Sequence, residues 1–179
     1  MGGQATQGLH RPPNTNDMNE LARLVGFIAA HAIWCVSDEG PLVPMIGFQR
    51  QDGSNGLVRF TDPDMERGVS QARAWLESNP EQAMSAVAAL DGFYPMASGK
   101  SDAIILEARL YGSTAKRFEM AVPYRPKSAV ASFAVYRPKF IRVEGETPDY
   151  SKLADEFFAG VDGHSEGAKV WNAHMDQGQ

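Results

Sequence analysis

Between residues 103 and 143 the chain is written in a two-residue period. Residues 103–111, 116–123 and 130–137 each alternate apolar and polar side chains or carry short apolar runs, with turn residues between them. Successive side chains on a strand point to opposite faces, so Ile104, Leu106, Ala108 and Leu110 share one face. Phe118, Met120 and Val122 must join them, because the buried face sets the register. A further extended segment is expected over 140–143. Two pairings satisfy this rule. Tyr111 opposite Ala115 leaves the short loop Gly112-Ser113-Thr114, but sets Arg109 against Arg117 and Glu107 against Glu119. Tyr111 opposite Arg117 lengthens the loop and sets Arg109 against Glu119. Cross-strand charge pairs contribute about 0.2–1 kcal/mol each, so the second pairing is expected. The outer stripe Glu107, Arg109, Tyr111, Arg117 and Glu119 then faces solvent, with nothing in the sequence to roof it.

The segments before this block change period. Leu21, Leu24, Val25, Ile28 and Ala32 fall at helical spacing and predict a helix over 17–36, capped by Asn16 or Asp17. Phe27, His31 and Trp34 flank that stripe, so the helix packs on two sides. A hairpin follows, with strands over 42–49 and 57–61 around the turn-rich 51–56; Pro44 places the first strand at a sheet edge. Thr61 or Asp62 caps a helix with Pro63 in its first turn and Met65, Val69, Ala72 and Leu76 buried. Asn79-Pro80 starts a second helix with Ala83, Met84, Val87 and Leu90 as its apolar face and Gly92 as its stop. Pro148 and Asp149 start another through Phe158, and a last short one spans 168–175, anchored by Val170 and Trp171.

The expected fold is therefore α+β: a mostly antiparallel sheet of five to six strands with helices packed on one face. Three regions are expected: a flexible tail (1–16), a single α+β domain (17–144) and an acidic helical extension (145–179) packing on or near it. At 179 residues, 43% hydrophobic and 22% charged, the chain is of ordinary globular composition for one domain. The net charge of -5 argues against nucleic acid as a partner. The single Cys35 excludes an internal disulfide. Residues 1–16 carry no apolar stretch of the signal-peptide kind, and the run 21–36 is too short and too interrupted, by Arg23 and His31, for a membrane span. A soluble cytoplasmic protein with no membrane contact is expected.

Few residues suggest chemistry. Ser98-Gly99-Lys100-Ser101 echoes the end of a phosphate loop, but Tyr94 replaces its first glycine and a strand follows, which reads as a polar turn. His31 and Cys35 share one side of a helix, in apolar surroundings that favour inert packing. His164 and His174 fall in an acidic, glycine-rich tail and read as solvated. No catalytic residue, metal or cofactor is expected.

Charge distribution is more informative. From Lys116 to Arg142 seven basic residues stand against the single acid Glu119, whereas residues 143–179 hold eight acids and two bases. The tetrapeptide Tyr-Arg-Pro-Lys occurs twice in the basic block, at 124–127 and 136–139, each at a strand end. Tyr124, Arg125, Lys127, Tyr136, Arg137 and Lys139 are the candidate ligand-binding residues, since Arg forks onto carboxylate or phosphate and Tyr adds stacking area. The acidic tail folding back onto these cations accounts for the same pattern without a ligand. The functional expectation is a non-enzymatic binding or regulatory module acting through protein contacts, as a homodimer or with another protein, with Trp34, Trp75 or Trp171 available to an interface. The alternative is a binding protein or small enzyme for an anionic metabolite at the two tetrapeptides.

Overall fold

The computed structural model describes residues 15–38, 40–112, 115–145 and 147–178. Helix α1 (Thr15–Ser37) leads into strands β1 (Met45–Gln49) and β2 (Asn55–Arg59), then helix α2 (Met65–Ser78). Strands β3 (Ser85–Met96), β4 (Gly99–Leu110), β5 (Lys116–Arg125), β6 (Ala134–Tyr136) and β7 (Lys139–Val143) follow. Helices α3 (Tyr150–Asp162) and α4 (Ser165–His174) and the two-residue β8 (Met175–Asp176) close the chain. The eight strands form one sheet in the order β2-β1-β3-β4-β5-β6-β8, with β7 also on β5. Every pairing is antiparallel except β6 with β8. The expected α+β class and mostly antiparallel sheet are observed; β3, expected as a helix, and β8 raise the strand count above the expected five or six. The expected tail, apart from residues 15 and 16 in α1, lies outside the described residues.

The sheet is buried on both sides. Val87 and Ala89 of β3 join Leu21, Val25, Ala29 and Ile33 of α1 in the larger core, with Phe157 of α3 and Trp171 of α4. Ala86, Ala88 and Leu90 point the other way, into a second core with Ile46 and Phe48 of β1 and Ala72 and Leu76 of α2. Helices thus lie on both faces, α1, α3 and α4 on one and α2 alone on the other, where one covered face was expected. This arrangement also corrects the second helix expected from Asn79-Pro80. Asn79 instead ends α2 in the left-handed conformation (φ 46°, ψ 59°), and its side chain both donates to and accepts from the backbone of Ala83. The next residues form a central strand. A strand covered on both faces shows no two-residue period, so an alanine-rich apolar run is indistinguishable by pattern from a buried helix.

The position of α2 decides the β4–β5 register. Leu110 pairs with Lys116, Arg109 with Arg117 and Glu107 with Glu119, which is the short-loop pairing and not the expected one. The like charges are tolerated because their partners come from above. Arg73 of α2 donates to Glu107 at 2.6 and 3.1 Å, Arg109 pairs with Glu77, and the Tyr111 hydroxyl donates to the Leu76 carbonyl. Helix α2 is therefore the roof that the stripe lacked in the sequence. Ser113 and Thr114 of that loop lie outside the described residues. Pro44 likewise precedes β1, accepting from Phe60 N–H, and β1 is interior; β2 is the edge.

On the other face α1 is gripped by the C-terminal helices at backbone distance. A Cβ added to Gly26 would stand 1.8 Å from the Phe157 carbonyl oxygen, one on Gly160 2.0 Å from that of Arg23, and one on Gly167 2.5 Å from that of Ala30. Backbone cannot yield as a flexible side chain does. Gly26→Ala and Gly160→Ala should each destabilise the protein by about 3 kcal/mol or more, beyond ordinary overpacking. Urea denaturation of the two variants checks this; wild-type midpoints would mean that the helices separate without loss.

Candidate functional site

The two tetrapeptides do not build one site. Tyr124 is buried in the larger core, and its hydroxyl donates to Asp91 Oδ1 at 3.0 Å. Burial holds both groups above their ordinary pKa values, with the Asp91 carboxylate adding to the effect on Tyr124. Arg125 turns to the opposite face, where it donates to the Ser132 carbonyl at 2.9 Å and lies 3.5 Å from the Tyr136 hydroxyl. Antiparallel pairing of Tyr124 with Val135 sends Arg137 the other way along the sheet and onto the α3 face. There it rims a small apolar hollow of about 340 Å³ with Met120, Phe140, Ala154 and Phe157. Lys139 pairs with Ala121 in β7, and Lys127 is exposed beyond the end of β5. Of the six candidate residues, the structure brings Arg125 and Tyr136 together. The acidic tail covers the basic strands with rings, Tyr150 lying 5.1 Å from Phe140, while its Glu156 pairs with Arg23 of α1 and its Glu166 with Lys169. The phosphate-loop echo is the β3–β4 turn, with Gly99 at φ 117° and Lys100 over the Phe93 ring at 3.7 Å.

A larger cleft opens where no sequence motif stood. Edge strand β2 extends past α1, and the space between them, about 750 Å³, is floored by β1. Gly47 lets Ile28 settle onto β1; a Cβ there would meet Ile28 Cδ1 at 2.3 Å. The middle of the cleft is apolar, lined by Leu24, Phe27, Ile28, Phe48 and Leu57. One end is polar, with Glu20, Arg23, Gln49, Gln51 and Asn55. The opposite end is closed by His31. Glu20 and His31 lie eleven residues apart on α1, about 16 Å along its axis. Phe27 and Leu57 remain 41% and 43% exposed, so the cleft presents apolar surface to water.

His31 carries the chemistry of this end. Its Nδ1 lies 2.9 Å from His164 Nε2, and its Nε2 lies 3.0 Å from Arg59 Nη2. His164 is the N-cap of α4, its Nδ1 accepting from Gly167 N–H at 2.9 Å. Rings of Phe27 and Trp34 pack at 5.0 and 5.8 Å from that of His164. The sequence reading flagged His31, but with Cys35, and left His164 in a solvated tail. The structure puts His164 against His31 instead, because the glycine contacts dock α4 onto α1. Burial pushes the Cys35 thiol up, which disfavours its thiolate form. Burial, then the neighbouring His164 and Arg59, lowers the pKa of His31. Among the described residues no group of three or more His, Cys, Asp or Glu is placed to hold a metal ion.

The lowered pKa fixes the sign of a pH effect. The unfolded chain takes up a proton at the ordinary histidine value and the native state only below it, so stability falls as pH drops through that window. Thermal midpoints measured from about pH 8 to about pH 5 should decline, and His31→Gln should flatten the lower part of the decline. A variant with the wild-type slope would place the effect elsewhere.

Comparison of the chain with protein-family models, curated proteins and solved structures finds no match to any of the three.

Proposed function

We propose that this protein binds a small, largely apolar ligand in the cleft between α1 and the β1–β2 hairpin. The observation that carries the reading is the cleft itself. Its volume of about 750 Å³ falls within the range of ligand sites, roughly 300–1,000 Å³. Its apolar middle lies between two polar ends, the pattern by which a pocket takes up an apolar body and orients it by a few polar contacts. Exposed Phe27 and Leu57 are the surfaces that a ligand would remove from water. A site shared by both Tyr-Arg pairs has less support, since Arg125 and Arg137 lie on opposite faces of the sheet.

The second reading, a module working through protein contacts, rests on β2. This strand is the sheet edge, and Leu57 on it and Trp34 nearby on α1 are exposed. An open edge beside apolar side chains is where a second chain adds a strand. The two readings part on stoichiometry.

The neutral fluorophore N-phenyl-1-naphthylamine is the test probe. One equivalent should bind per chain, with the chain monomeric in sedimentation before and after. Leu57→Glu places a carboxylate on the apolar wall at an exposed strand position, and should weaken binding by about tenfold or more, a change of about 1.4 kcal/mol. Equal binding by the variant, or no binding by the wild type, sinks the cleft reading; a dimer that Leu57→Glu dissociates would favour the edge.

A further inference from the structure

The hydrogen-bond chain at the closed end of the cleft has more donors than acceptors. Gly167 N–H donates to His164 Nδ1, so in the neutral ring the proton of His164 is on Nε2 and goes to His31 Nδ1. His31 then accepts at Nδ1 and carries its own proton on Nε2. Arg59 Nη2 lies 3.0 Å from that nitrogen and can only donate. Two N–H donors face each other across the end of the chain. Reversing the His31 ring's proton moves the conflict and does not remove it, because His164 would then have to accept at both nitrogens. Protonating His31 makes the clash ionic, with an imidazolium against a guanidinium. No carboxylate of the described ion pairs is assigned to Arg59, whereas Arg23, Arg50, Arg67, Arg73, Arg109 and Arg142 each have one.

An arrangement of two opposed donors is completed by an acceptor between them. We infer that the ligand of this cleft carries an oxyanion, a carboxylate at the end of an apolar body, which seats between His31 Nε2–H and the Arg59 guanidinium. This inference rests on the cleft reading and names the chemical class of its ligand: a medium-chain organic acid lying along α1, its chain against Leu24, Ile28 and Leu57 and its tail toward Gln49 and Asn55. Arg59 is exposed on an edge strand and has room to swing from the imidazole onto the incoming carboxylate. A charge-assisted pair with Arg and a second hydrogen bond from His31 would then replace the donor–donor contact.

Displacement titrations separate this inference from the reading beneath it. Decanoate, decanol and decylamine are titrated against the full chain by displacement of the naphthylamine probe. Decanoate should bind at least tenfold tighter than decanol, and decylamine weakest. Arg59→Gln should cost decanoate about tenfold while leaving decanol unchanged, and His31→Gln should narrow the decanoate-to-decanol ratio by about tenfold; circular dichroism establishes that both variants fold. Decanol equal to decanoate, decylamine tightest, or an Arg59→Gln variant with wild-type preference overturns the carboxylate and leaves the apolar cleft standing. Probe binding that none of the three displaces overturns the carboxylate as well. Failure of the probe itself to bind overturns both.

Discussion

The architecture depends on how closely α1 is approached. Gly26, Gly160 and Gly167 remove the side chains that would hold helices at ordinary separation, and carbonyl oxygens of one helix stand where a Cβ of the other would be. Close approach brings Phe157 and Trp171 into the same core as Leu21, Val25 and Ile33, so the C-terminal helices are part of the central packing. Fully burying a large apolar side chain contributes about 1.5–3 kcal/mol, and the two rings, 5.9 Å apart, are both essentially inaccessible to water. Among the described residues α1 is the one helix long and apolar enough by composition to cross a membrane, yet here it is the core helix between a sheet and two further helices.

That packing also makes the candidate site. Docking α4 against Ala30 sets the cap residue His164 beside His31, and the start of α4 fixes which nitrogen of His164 accepts. Helix α1 then presents Leu24, Phe27, Ile28 and His31 toward β2 as one wall of the cleft. The hairpin supplies the other wall because Gly47 lets β1 lie close under α1 while β2, one strand further out, passes beyond its edge. On the far side of the sheet α2 has a separate task. It satisfies Glu107 and Arg109, the charges that strand pairing sets against their like, through Arg73 and Glu77. These pairs are partly exposed, and each is worth no more than about 1 kcal/mol; their effect is on register, since the alternative pairing gains little once the roof is present.

Much of the fold was legible in the sequence. Helix α1, α2, α3 and α4, the hairpin, and the strands from Gly99 to Val143 follow from period, caps and turn residues, and Asp149 caps α3 as its position suggested. The misreadings share one physical origin. Residues 85–90 are buried on both faces, so no periodicity reported their strand; the extra face came from α2, and the same helix answered the charges that sequence reasoning paired along the strands. The candidate site was visible only as two unconnected histidines, His31 read with Cys35 and His164 read as solvated. His31 and His164 are 133 residues apart, and no local pattern encodes contact across that span.

By itself the sequence determined which segments are helix and which are strand wherever one side of an element is wet, and it determined an α+β class with an antiparallel sheet. A half-buried element records its environment in its period, and caps and turns are local chemistry. Tertiary structure alone decided which faces α2 and α4 cover, which register β4 and β5 adopt, where the two Tyr-Arg pairs point, and that His31, in the lining of one cleft, meets a distant imidazole and an arginine. Those outcomes depend on helices and strands meeting across the chain, and a contact of that kind leaves no spacing to read.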